Sequence, residues 1–264
     1  MKFSLENNNK VWIFVVLVAA LISFTFINTY PISILDEAKN AEAAREMWAS
    51  GTYWVPKFNG ELRTDKPPLH YYFMVLGFKL FGTTVLGARF FSALMGFITL
   101  LTTFGFARHY FGNAVAQTTL LILVGSFFFM QEFHLAVPDP YLIAFVTLGL
   151  FSFYHFYVTK KYLYLVLFYF FLALGALSKG PIAIALPGLS VGLFILLQKE
   201  LKNTFRYYPI LGLLGIALIV VPWFWQVHLK SDGLWTQGFF FDHNVSRFSA
   251  PMEGHGGSFL VTWG

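Results

Sequence analysis

The sequence predicts an all-α, polytopic integral membrane protein, and three observations carry that expectation. Of its 264 residues 57% are hydrophobic and only 12% charged, against roughly 25% charged in ordinary soluble domains. Mean hydropathy is +0.63. Aromatic residues reach 20%, with 33 Phe, 13 Tyr and 7 Trp, the residue types that pack on lipid tails and anchor at headgroups. There is no cysteine, which excludes a disulfide framework, a thiolate nucleophile and a cysteine metal site. A net charge of +5 could suggest nucleic acid, but that partner needs Lys and Arg gathered on one exposed face. Here they are scattered between apolar runs, so nucleic acid is excluded as a partner.

About 20 apolar residues cross a hydrocarbon core some 30 Å thick. Seven stretches fit that ruler: roughly 11 to 30, 85 to 107, 114 to 131, 141 to 158, 161 to 178, 181 to 198 and 208 to 229. The first has a basic flank but a long apolar core and no small-residue cleavage site, so it reads as an uncleaved anchor. Leu69 to Phe81 is apolar but only thirteen residues long and carries His70 and Lys79, which suits an interfacial or re-entrant helix. Charge supports that reading, because Lys and Arg collect in short cytoplasmic loops. With the N-terminus inside, the inner segments hold Lys2, Lys10, Arg108, Lys160, Lys161, Lys199, Lys202 and Arg206 against Glu6 and Glu200, a balance of +6. The outer segments hold the remaining acids, with a balance of −1. Were Leu69 to Phe81 a full span, the basic loops would all move outside. The chain stops in what looks like another apolar run, so it reads as part of a longer membrane protein, a single domain over residues 1–264.

The outer segments 31–84 and 230–264 are too long for simple turns, and loops of that length are usually functional or disordered. Asp36 can cap a helix on which Ala38, Ala41, Ala44 and Trp48 recur, with Gly51 as its stop. Asp36 and Glu37 then read either as a cap with favourable dipole charge or as carboxylates of which one faces a cleft as general base. Arg63, Thr64, Asp65, Lys66, Pro67 and Pro68 open the short apolar helix, so free N–H groups and cations meet at a positive helix end. Its ligand is either a bound phosphate or ordinary lipid headgroups. Asp139 with Pro140 starts another span on the same side, and Lys179 sits in an outer turn where the charge rule disfavours it. In the last loop Asp242, His243 and Arg247 stand among phenylalanines. Asp65 with His243 could serve zinc, although a catalytic zinc normally takes three protein ligands.

These groups come from separate outer segments. That favours a membrane-embedded enzyme acting on an anionic lipid over a solute carrier, whose polar groups should lie near the midplane on broken helices in repeated halves. A non-catalytic protein that binds or translocates such a lipid, and an ion-coupled carrier, are the alternatives.

Leu35, Asp36, Glu37 and Ala38 through Glu42, then Arg45 to Met47 and Asp65 to Pro68, resemble the first outer loop of the bacterial membrane glycosyltransferases related to protein O-mannosyltransferases and to the aminoarabinose transferase of lipid A. Ala136 to Pro140, Ser178 to Gly180 and Phe240 to Phe248 resemble the same family in the same order. The resemblance implies a GT-C-type helical bundle about twice this length. It also implies inverting transfer of a sugar from a polyprenyl phosphate donor, commonly undecaprenyl phosphate, to a lipid, glycan or protein acceptor at the outer face of the bacterial cytoplasmic membrane. The catalytic carboxylate of the first acidic motif maps onto Asp36, beside Glu37, and the second acidic motif onto Asp139. Donor-phosphate ligands map onto Lys66 and Arg247, with Arg63 and Lys39 as further cations of the same loop. A divalent metal, zinc in the aminoarabinose enzymes, would sit at Asp65 and His243. Lys39 stands where those enzymes commonly have Arg, and Asp65 and Asp242 where they have Glu.

Overall fold

The computed structural model describes residues 5–32 and 35–245. For residues 5–9, 203 and 242–245 it describes the backbone alone. Arg247, and the side chains of Asp242 and His243, therefore lie outside the described residues.

Helix follows helix along the chain: α1 (Leu5–Phe24), α2 (Leu35–Ser50), α3 (Leu69–Phe81), α4 (Val85–Phe111), α5 (Asn113–Gly125), α6 (Phe127–Phe133), α7 (Asp139–Thr159), α8 (Tyr162–Lys179), α9 (Ile182–Leu197), α10 (Pro209–Lys230) and α11 (Leu234–Gln237). A 3-10 turn over Leu201–Tyr207 leads into α10, and a π-type segment over Gly238–Val245 follows α11. Between α2 and α3 a two-stranded antiparallel hairpin, β1 (Lys57–Phe58) and β2 (Glu61–Leu62), pairs Lys57 with Leu62.

Val85–Phe111, Asp139–Thr159, Tyr162–Lys179 and Thr204–Lys230 are long and apolar enough to cross a membrane, and α5 with α6 adds a fifth if the pair is one span. The protein is thus a multi-pass membrane protein. Three apolar stretches are shorter: Lys10–Phe24, Leu69–Phe81 and Ile182–Leu197. Within the run 114–131, expected as one span, α5 and α6 meet at a 66° bend. Ser126 takes extended dihedrals there, and its Oγ accepts from the Phe129 N–H, so it caps a new helix where hydropathy alone reads a continuous run.

α4 lies at the centre, packed against α1, α3, α5 and α7. Val15, Phe91, Leu100, Phe104, Phe133 and Tyr141 form one core around it, and Phe153, Phe168, Leu172 and Ile216 form a second between α7, α8 and α10. α3 meets the start of α4 backbone to backbone. A Cβ on Gly77 would lie 2.0 Å from the Gly87 carbonyl oxygen, so only glycine permits the approach. Alanines 41, 43 and 44 with Met47 lay α2 against Tyr71, Met74 and Phe78 of α3. Trp48, Tyr53 and Trp54 stay exposed, as suits an interfacial helix.

Two ends result. At the basic end the Arg108 guanidinium lies over Trp12, Tyr110 Oη is 2.5 Å from His155 Nδ1, and the Tyr157 and Tyr207 hydroxyls donate to Glu200. At the acidic end the loops after α1, α2 and α6, the start of α3, the end of α8 and the start of α11 come together. The segments that the charge pattern assigns to one side of the membrane are the segments the fold gathers at one end.

Candidate active site

The first turn of α2 sets the site. Asp36 is exposed, whereas Glu37, one residue on and turned about 100° away, has 0% exposure. Glu37 accepts from Arg89 Nε at 2.6 Å and Nη2 at 2.7 Å, and its Oε1 also takes the Ala136 N–H at 2.8 Å. The remaining Arg89 hydrogens reach the carbonyls of Ile27, Tyr30 and Pro31. A buried ion pair is tolerated when nearly every polar atom in it is satisfied, and this one is. It clamps the chain after α1, α2, α4 and the entry to α7 to one another. Glu37, expected beside Asp36 as a catalytic carboxylate, has both oxygens hydrogen-bonded in this clamp.

Four residues after Asp36, Asn40 is buried at 1% exposure. Its Nδ2 donates to the Asp36 carbonyl at 2.9 Å, and its Oδ1 faces Arg63 Nη2, the Tyr71 hydroxyl and His70 Nε2 at 3.2, 3.2 and 3.3 Å. Arg63 also donates through Nε to Tyr71 Oη and pairs with Asp65 at 3.2 Å. With 5% exposure, Arg63 is a strut inside the protein, and its expected place as a phosphate ligand is corrected accordingly. It was misassigned because the hairpin folds it inward while Lys66, three residues on, stays half-buried at the mouth of α3. Lys39 is half-buried as well. Burial, and then the charges of Arg63 and Lys66, push the His70 pKa well below the usual imidazole range, so this ring is neutral. Burial likewise pushes the Tyr71 hydroxyl up to about 12.

Asp139 begins α7 only three residues after Ala136, no more than about 11 Å of chain from the residue that Glu37 holds. Its carboxylate pairs with the Lys179 ammonium at the end of α8. Glu132 lies within electrostatic range of both. Gly180, at φ +89°, lets the Phe239 ring close over this turn, for a Cβ there would meet it at 2.8 Å. Trp235 Nε1 donates to the Arg63 carbonyl at 2.7 Å, and Gly238 abuts Thr64. The stretches 36–40, 63–71, 132–139, 179–180 and 235–239 thus share one end of the bundle.

Against the Glu37–Arg89 pair lies a pocket of about 380 Å3, lined among others by Phe26, Tyr30, Gln131 and His134. A larger groove of about 510 Å3, between α8 and α10, is apolar and carries no titratable group besides tyrosines. It lies apart from the polar assembly.

The metal expected at Asp65 and His243 finds little support in what is described. Asp65 is paired with a guanidinium, and among the described residues no three His, Asp or Glu side chains gather as ligands. The His243 side chain lies outside the described residues, which supply Asp65 alone of the expected pair.

Arg89, Asn40, His70, Tyr71, Glu132 and Trp235 were not among the site residues that the sequence suggests. Arg89 had a signal: an ionisable residue one turn inside an apolar span is a functional or structural flag by default. Asn40 had none, because an asparagine in an alanine-rich helix carries no spacing that marks a hub.

The sequence profile of the family described as dolichyl-phosphate-mannose-protein mannosyltransferase matches residues 65–225. A protein of Aquifex aeolicus described as uncharacterized is 35% identical over 81% of this chain and 43% of its own length. The undecaprenyl phosphate-alpha-4-amino-4-deoxy-L-arabinose arabinosyl transferase of Aeromonas hydrophila is 31% identical over 85% of this chain and 42% of its own. Among solved structures, ArnT of Cupriavidus metallidurans bound to undecaprenyl phosphate superposes with a TM-score of 0.81 at 25% identity, covering 92% of this chain and 45% of that one. The chain spans about half the length of the relatives it matches.

Proposed function

The chain belongs to the dolichyl-phosphate-mannose-protein mannosyltransferase family, and we propose that it is a glycosyltransferase moving a sugar from a polyprenyl phosphate donor to an acceptor, with inversion. Its place is the bacterial cytoplasmic membrane, with the acidic end on the outer face. One observation carries the reading. Exposed Asp36, half-buried Lys66 and the Asp139–Lys179 pair, far apart in sequence, occupy one end of a bundle that superposes on a transferase bound to undecaprenyl phosphate. The excess of Lys and Arg at the opposite end supports the orientation.

In the reaction the acceptor oxygen attacks the anomeric carbon while the bond from that carbon to the phosphate oxygen breaks, its electron pair staying on the phosphate. Lys66 beside the leaving group stabilises the charge that develops there. Asp36 orients an acceptor hydroxyl and takes its proton. A carboxylate is a far weaker base than an alkoxide, so the proton moves in concert with attack. A phosphate acceptor would have no proton to lose. Lipid A, another glycolipid, a glycan and a protein all meet these requirements as acceptors.

The test is Asp36→Asn in the complete chain, in membranes lacking other transferases, with radiolabelled undecaprenyl phosphate-linked aminoarabinose and mannose as donors. Transfer should fall by at least about a hundredfold while undecaprenyl phosphate still binds. Transfer at an undiminished rate would remove the catalytic assignment. Movement of free solute into sealed vesicles would favour a carrier.

A further inference from the structure

We infer that Asn40 is a positioning residue of this site, setting the separation between Asp36 and the phosphate-binding Lys66. The inference rests on the glycosyl-transfer reading and extends it to a residue to which nothing in the motifs gives a role.

The geometry starts from helix spacing. Asn40 lies one turn after Asp36 on α2, so its amide stands directly over the Asp36 peptide. The Nδ2–H donates to the Asp36 carbonyl oxygen at 2.9 Å. That bond fixes which way the amide points, because a flipped amide would set its NH2 against an Arg N–H and its oxygen against a carbonyl. Oδ1 therefore faces inward, where Arg63 Nη2 and the Tyr71 hydroxyl donate to it, with His70 Nε2 as a third neighbour. Two lone pairs meet three potential donors, at a side chain with 1% exposure where water cannot substitute.

Each of those partners leads to the phosphate side. Arg63 is three residues before Lys66, and its guanidinium also holds Asp65. Its carbonyl receives the Trp235 indole N–H, which ties in the last described outer segment. His70 and Tyr71 form the first turn of α3, whose N-terminus Lys66 precedes. One amide thus joins the backbone of the proposed base to the strut that carries the proposed phosphate ligand. The Glu37–Arg89 clamp fixes α2 against α1, α4 and α7, but it touches nothing between residues 57 and 71. Glu46 holds the hairpin tip through the Asn59 and Gly60 N–H groups, and Ala41, Ala44 and Met47 pack on α3; Asn40 adds the polar link from the Asp36 peptide itself to Arg63 and Tyr71.

A small misplacement of reacting groups costs rate more than binding, and a shift of about 1 Å can cost a hundredfold. A residue that merely holds the fold would lower the amount of active protein and leave the turnover of what survives unchanged. The experiment uses the complete chain in membranes and in detergent, with undecaprenyl phosphate as the binding probe and its aminoarabinose and mannose conjugates as donors. Asn40→Ala should bind undecaprenyl phosphate within about threefold of the unchanged chain, while kcat per folded molecule falls at least about tenfold. Asn40→Asp has the same shape and still accepts from Arg63 and Tyr71, but it loses the N–H donated to the Asp36 carbonyl and sets an oxygen against it, so its kcat should stay at least about tenfold low with undecaprenyl phosphate still bound. Equal kcat for Asn40→Ala and the unchanged chain overturns the proposal. So does a loss of binding that matches the loss of transfer. If Asn40→Ala does not fold, Asn40→Asp decides alone: folded, binding undecaprenyl phosphate and low in kcat supports the hub, folded with unchanged kcat overturns it. An unchanged chain that turns over no donor overturns the glycosyl-transfer reading itself, a result distinct from any difference between variants.

Discussion

The two ends of this bundle use polar residues in opposite ways. At the acidic end the charged groups are drawn inside and paired: Glu37, Arg63 and Arg89 are all at or below 5% exposure, and their partners come from segments as much as 99 residues apart. At the basic end the polar groups sit on long or aromatic side chains that reach the interface. Lys160 lies over the Tyr157 ring at 4.5 Å and the Tyr207 hydroxyl reaches Glu200, and the contacts between more distant segments there, Arg108 over Trp12 and Tyr110 with His155, are ring contacts and a single hydrogen bond rather than a buried ion pair. An anchor tolerates sliding, because a tyrosine or lysine finds headgroups at any nearby depth. A site of the proposed kind, with a base, an acceptor and a phosphate to hold in register, does not, and buried, satisfied polar networks are a way to remove the slack.

The largest effect expected from that contrast is at Arg89. Arg89→Met leaves the Glu37 carboxylate buried without its partner, a change that typically costs about 3–5 kcal/mol. The double change Glu37→Leu with Arg89→Met should recover most of that stability, since an apolar pair of similar volume is often near neutral. Transfer should not return with it, because Asp36 and the α7 entry have lost their common clamp. Thermal unfolding in detergent and transfer assays on the same samples separate the two. Recovery of both would reduce the pair to packing.

A smaller effect is expected from acid. His70 is held neutral by burial and by Arg63 and Lys66, so its folded pKa lies below that of the unfolded chain. As pH falls through the unfolded value of about 6.5, the unfolded chain takes up a proton that the folded chain refuses. Stability should therefore be complete above that pH and decline below it, by at most about 1.4 kcal/mol per unit. Melting temperatures from pH 7.5 to 5 should show the decline, and His70→Gln should flatten it. A profile unchanged by that substitution would mean that the ring is not the group responsible.

The smallest effect belongs to the basic end. Tyr157→Phe removes a long hydrogen bond to Glu200, 3.3 Å in length, and should cost no more than about 1 kcal/mol with no change in transfer. A loss comparable to that at Arg89 would erase the distinction between the two ends.

Much of the architecture was legible in the sequence because a bilayer reduces it to a ruler and a charge count. The positions of α4, α7, α8 and α10, and the thirteen-residue α3, follow from apolar length and flanking Lys and Arg. The bend at Ser126 was hidden because apolar residues flank it on both sides, and only Gly125 with Ser126, whose hydroxyl caps Phe129, marks it. Asp36, Lys66 and Asp139 could be picked out as candidates, since acids and a lysine in outer loops are conspicuous in so apolar a chain. Which carboxylate of the Asp36 and Glu37 pair turns inward could not be read, because the answer lies with Arg89, 52 residues away. Arg63 misled for the same reason: a guanidinium's chemistry suits a phosphate as well as a buried amide, and only the β hairpin decides.

Every functional statement depends on the acidic end facing away from the cytoplasm. Because the chain has no cysteine of its own, single cysteines at Lys57, in the first outer loop, and at Lys161, between α7 and α8, can be labelled with a membrane-impermeant maleimide in intact spheroplasts and after permeabilisation. The account predicts label on Lys57→Cys in intact spheroplasts, and on Lys161→Cys only once the membrane is opened. Labelling of both positions from one side, or the reverse order, would contradict it.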